Sequence, residues 1–90
     1  MTAERITKIR ETLEAEFAPS ELLIKDQSHL HAGHEGAKEG KGHFDVTIVA
    51  AAFDGINRVQ RHRMVYDALA DLIETDIHAL RIKAFGRSER

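Results

Sequence analysis

The sequence predicts a small α+β domain: a three-stranded mixed sheet with helices on one face. Three observations carry this. Apolar residues recur at helical spacing near the N-terminus and again beyond residue 58. They alternate with a period of two in 43–53 and in 79–85. The segments follow in the order helix, strand, strand, helix, strand. The first two strands, if adjacent, are antiparallel. The last is reached by a helical crossover, which favours a parallel partner and a right-handed connection. Ninety residues make one domain with a modest core.

The elements are justified in turn. Ile6, Ile9, Leu13 and Phe17 fall on one helical face, and Glu4, Lys8, Glu11 and Glu14 on the solvated one. Thr2 is the expected N-cap, and Pro19 the stop, because the residue before a proline is driven out of helical geometry. "ELLIKDQS" (21–28) has strand length, with Leu22 and Ile24 on one face. "HFDVTIVAAAF" (43–53) places Phe44, Val46, Ile48 and Ala50 on an apolar face. Between these strands lies a long connection carrying Gly33, Gly36, Gly40 and Gly42. Long connections in compact domains tend to be functional or mobile. Asp54-Gly55 predicts a turn and Asn57 a helix cap. A helix over 58–75 carries Val65, Leu69, Leu72 and Ile73 as its stripe, with Val59 and Met64 beside it. "ALRIKAF" (79–85) is the last strand and "GRSER" a frayed tail.

Composition narrows the function. The net charge is −2, so no global field draws the chain to DNA, RNA or an anionic membrane. With no cysteine there is neither a disulfide nor a thiolate site made by this chain alone. No apolar run reaches membrane-spanning length, and the N-terminus lacks a signal-peptide core. The expectation is a soluble, cytoplasmic protein.

The histidines are the chemical feature. Four of the six lie in 28–43: His29, His31, His34 and His43. Neutral imidazole is a common metal ligand, and three within six residues on a glycine-rich segment could turn toward one ion. A loop histidine is more often a solvated polar residue; His29 is assigned so, while both roles stay open for His31 and His34. His78, in "DIHAL", is either a cap on helix carbonyls or a ligand fixed on a rigid element. One anchored and one mobile imidazole do not close a tetrahedral site, so a partner would supply the rest. His62 is expected to be hydrogen-bonded within the fold; so is His43, unless it lines the site.

Catalysis finds little support. Ser20, Ser28 and Ser88 are outside any G-x-S-x-G setting, and no phosphate-binding loop or dinucleotide fingerprint occurs. For nucleic acid, Arg58, Arg61 and Arg63 open the second helix, and Arg81, Lys83, Arg87 and Arg90 lie in and after the last strand. Helical arginines are usually solvated or paired, and stacking aromatics are scarce at those positions.

"SHLHAGH", then the F-x-G-x-x-x-x-x-R-H-R-x-V-Y block (Phe53, Gly55, Arg61, His62, Arg63, Val65, Tyr66), then "HAL" after it, resemble the BolA family from Ile6 to Phe85. The resemblance implies a class II KH-like fold occupying 1–90, with 28–42 a mobile loop. It implies a non-enzymatic partner of a monothiol glutaredoxin that shares a [2Fe–2S] cluster with it and with glutathione, in iron–sulfur trafficking or iron regulation. It makes His78 the anchored ligand and His31, by its S-x-x-H position, the loop ligand, with His34 in reserve. The family is also described as DNA-binding regulators of cell shape and stress response. In that role the segment with Arg58, Arg61 and Arg63 would meet DNA or a partner, although "FDGINRV" has one glycine where the nucleic-acid-binding KH loop has two. A third possibility is zinc or another ion held without a partner. The free chain is expected to be a monomer or weak homodimer.

Overall fold

The computed structural model describes residues 2–27 and 42–89. Helix α1 (Thr2–Phe17) is followed by β1 (Glu21–Asp26) and β2 (Gly42–Val49). After a 3-10 turn (Ala51–Phe53) come α2 (Arg58–Ala68), α3 (Ala70–Thr75), β3 (Ile77–Phe85) and a closing 3-10 turn (Arg87–Glu89). The sheet order is β1-β2-β3, with β1 antiparallel and β3 parallel to β2. The predicted order and mixed sheet are therefore those observed.

Register explains the two faces. Leu22, Ile24, Phe44, Val46, Ile48, Leu80, Ile82 and Ala84 pair across one side of the sheet and pack with Ile9, Leu13, Phe17, Val65 and Leu69 from the helices. Burying a large aliphatic or aromatic side chain contributes about 1.5–3 kcal/mol, so this layer is the main source of stability. The opposite face presents Leu23, Lys25, Asp45, Thr47, Arg81 and Lys83.

Several boundaries depart from the sequence pattern. Helix α1 already includes Thr2, so Thr2 opens the helix rather than preceding it. It ends as expected: Ala18 takes φ 46° and its N–H donates to Glu14 O at 3.0 Å, just before Pro19. β1 stops at Asp26 and Gln27 is outside it, while Ser28, the expected end, lies outside the described residues. β2 stops at Val49, four residues short of the expected end. Ala50 N–H still donates to Phe85 O, and then Phe53 N–H donates back to Ala50 O. This tight turn drops Phe53 into the core, its ring centroid 5.0 Å from that of Phe17. The run "VAAAF" is apolar throughout, so alternation does not mark the turn.

The expected single helix over 58–75 is two. They meet at Leu69, whose φ of −99° and ψ of 11° leave helical geometry while its side chain is fully buried. Val59 is 67% exposed rather than beside the apolar stripe. Asn57 does cap α2, its side chain accepting from Gln60 N–H at 2.9 Å, and Gly55 takes φ 74° in the preceding turn. β3 begins at Ile77, two residues early. The tail to Glu89 is ordered: Arg87 N–H donates to Asp54 Oδ1 at 2.8 Å, and Glu89 Oε1 accepts from Gly86 N–H at 2.6 Å.

Candidate functional site

His78 owes its position to an irregularity in the β2–β3 ladder. Gly42 pairs with Ile77, yet His43 pairs with Ala79, so His78 is an extra residue on β3. Such a bulge re-aims a side chain. Ile77 turns into the core while His78 and Ala79 are both exposed. The His78 ring comes to lie against that of His43, centroids 5.0 Å apart and planes at 56°. His43 is only 8% exposed, which gives the exposed His78 a buried aromatic neighbour. The alternative role for His78, as a cap on helix carbonyls, is not what this geometry presents: the residue lies within the strand ladder.

Both roots of the 28–41 segment are at this end of the sheet. Gln27 N–H donates to His43 O at 2.7 Å, and Gly42 N–H to Asp76 O at 2.9 Å. Asp76 also anchors α1 here, its carboxylate 3.3 Å from Arg5 Nε and 3.6 Å from Lys8 Nζ. Its pKa is lowered, first by the hydrogen bond from the Thr75 hydroxyl and then by Arg5 and Lys8. His29, His31 and His34 lie outside the described residues. Among the described residues no three histidine or carboxylate side chains gather as a metal site. His78 thus presents an exposed imidazole donor on a strand, at the sheet end where the histidine-bearing segment is rooted.

The R-H-R-x-V-Y block has a different task. β3 is an edge strand, and an uncovered edge is a template for unwanted pairing. Arg61 Nη1 donates to Ala84 O at 3.0 Å, His62 Nε2 lies 2.8 Å from Ile82 O, and the Tyr66 hydroxyl donates to Leu80 O at 3.0 Å. Three side chains of α2 thus engage alternate carbonyls along the strand. Arg61 is further fixed by donating from Nε to Ile56 O, and His62 Nδ1 lies 3.0 Å from Arg58 O. His62 is bonded within the fold, as expected. Arg61 turns inward, whereas Arg58 and Arg63 are exposed.

Beyond that clasp, a groove of about 740 Å³ runs between the start of α2 and the end of β3. Asn57, Arg58, Arg61 and Lys83 line it together with Glu89. Arg61 Nη1 also donates to Glu89 Oε1 at 2.6 Å. That bond is the main cause of a lowered Glu89 pKa, with the Gly86 N–H bond second. The sequence pattern marked Arg58 and Arg61 but not Glu89, which sits in the segment expected to fray.

Residues 13–89 match the family model for BolA-like proteins. The chain belongs to the BolA family. This BolA-family chain is 44% identical over 88 residues to chloroplastic protein BOLA1 of Arabidopsis thaliana, covering 94% of its own length and 55% of that relative's. It therefore spans about half of that protein. It is 37% identical to the DNA-binding transcriptional regulator BolA of Haemophilus influenzae, covering 90% of this chain and 76% of the relative. Among solved structures it superposes on the BolA domain of SufE1 from Arabidopsis thaliana with a TM-score of 0.83, at 44% identity and 93% coverage of both chains. No helix among the described residues is long and apolar enough to cross a membrane.

Proposed function

We propose that this BolA-family chain is a non-enzymatic accessory protein that pairs with a monothiol glutaredoxin and co-ligates a [2Fe–2S] cluster. The observation that carries this is His78, exposed at a strand bulge, against His43, at the sheet end where the 28–41 segment departs and returns. His78 is the anchored ligand and His31 the loop ligand, with His34 as reserve; the partner's cysteine and glutathione supply thiolates. Imidazole in place of thiolate on one iron raises a cluster's reduction potential. His78 offers its imidazole from a strand and is exposed, so the partner approaches from that side.

Reconstitution with iron, sulfide, glutathione and a monothiol glutaredoxin tests the proposal by visible absorption and circular dichroism. The heterodimer spectrum should differ from that of the glutaredoxin homodimer. It should be lost in His78→Ala and in one of His31→Ala and His34→Ala. A spectrum indifferent to this chain and to all three variants overturns the proposal.

A second reading is favoured by the groove. Arg58, Arg61 and Lys83 line it, and a relative bears the name of a DNA-binding transcriptional regulator. In that reading the groove meets DNA by its phosphates, with affinity that falls steeply with salt.

A further inference from the structure

The two edges of the sheet are finished differently. Arg61, His62 and Tyr66 cover the outer edge of β3, whereas no strand pairs with the outer edge of β1 among the described residues. The backbone pattern of that edge follows from one bond. Gln27 N–H donates to His43 O at 2.7 Å, and hydrogen-bonded pairs alternate along an antiparallel ladder. Leu23 and Lys25 therefore bond to β2, while the N–H and C=O groups of Leu22 and Ile24 aim outward. An outward row of this kind is a template for another strand. The side chains say which strand. Glu21, Leu23 and Lys25 share the uncovered face of the sheet and are all exposed, the apolar Leu23 by 50%. Acidic, apolar, basic at a spacing of two is its own complement when reversed. Laid antiparallel to itself about Leu23, β1 sets Glu21 opposite Lys25 on either side and Leu23 opposite its own counterpart. Leu22 and Ile24 then exchange their outward backbone groups. Centring the pairing on Leu22 or Ile24 instead puts a charge opposite Leu23 and loses both charge pairs. A lysine on an edge ordinarily discourages pairing; here a strand with an acid at the matching place accepts it, and β1 is such a strand.

We propose that two copies of this chain associate through the outer edge of β1, antiparallel and with the two-fold axis at Leu23, joining their sheets into one. Such an interface is isologous, each copy offering the same patch. It is small, so the dimer is weak and forms as concentration rises. The inference does not rest on the proposed function: His78 lies on β3, at the far edge of the sheet, and stays open when the β1 edges meet.

The test is sedimentation velocity of the full chain at low salt, over concentrations up to about 1 mM. Wild type should move from monomer toward dimer. Glu21→Lys and Lys25→Glu each set like charges opposite one another at two symmetric places and should weaken association about tenfold. An equimolar mixture of the two variants restores opposite charges across the interface and should associate as wild type does. Glu11→Lys, the same reversal at an exposed position on α1, should leave the dimer unchanged. A second measurement uses the absence of native cysteine. Facing residues of a non-hydrogen-bonded pair have Cα atoms about 4.5 Å apart, within disulfide range, so Leu23→Cys should cross-link in a glutathione redox buffer well beyond Val59→Cys, which is equally on the surface. Wild type that stays monomeric throughout overturns the proposal. So does a dimer indifferent to Glu21→Lys and Lys25→Glu, a mixture of the two no stronger than either alone, or cross-linking at 23 no greater than at 59.

Discussion

Replacing Arg61 by methionine keeps most of its volume and removes every donor. Two backbone carbonyls, Ile56 O and Ala84 O, then lose a charged partner. A hydrogen bond to a charged donor is worth about 1.5 kcal/mol at the lower end, so Arg61→Met should cost about 3 kcal/mol. The contact with the half-exposed Glu89 adds little. A domain of this length has about 4 to 14 kcal/mol in total, so the loss is large but survivable. Urea denaturation followed by far-ultraviolet circular dichroism measures it. With a slope of about 1.5 kcal/mol/M, the midpoint should fall by about 2 M. Arg63→Met, at an exposed position of the same helix, should stay within about 0.5 kcal/mol of wild type. If Arg61→Met shifts the midpoint no more than Arg63→Met, Arg61 is a solvated surface arginine. The account of α2 clasping the edge of β3 would then fail.

Gly86→Ala should cost about 1–3 kcal/mol through overpacking against the Asp54 backbone and carboxylate, read as a lower melting temperature. Ala18→Gly should raise stability by about 1 kcal/mol, because Ala18 holds φ 46° at the C-terminus of α1 and glycine takes that geometry without a Cβ penalty; an unchanged or lower melting temperature contradicts this. The folded Asp76 carboxyl lies below its ordinary 3.8, so its contribution is complete above that value and disappears as pH falls through the folded pKa. Urea titrations of wild type and Asp76→Asn should accordingly differ at neutral pH and converge in strong acid.

How much of this was legible in the sequence varies by residue. Ile9, Leu13 and Phe17 announce the buried face of α1 because helical periodicity is a local property, and all three are buried. Phe44, Val46 and Ile48 announce β2 for the same reason. The end of β2 was hidden, since "VAAAF" is apolar both in the strand and in the turn that follows, and only the bond from Ala50 to Phe85 settles where pairing ends. The R-H-R-x-V-Y block is conspicuous in the sequence, but its acceptors are not. Leu80, Ile82 and Ala84 become partners of Tyr66, His62 and Arg61 only when a distant strand is laid at the sheet edge.

Taken alone, then, the sequence determined the order of elements, the apolar faces, the Asn57 cap and the gathering of histidines around the first connection. Each depends on residues within a turn or two of one another. The tertiary structure decided that His78 is the bulged residue against His43, that Arg61 turns inward, and that Glu89 returns to it. Those placements depend on strand register and on groups far apart in the chain, and no local pattern encodes which of several exposed carbonyls or cations a side chain will meet.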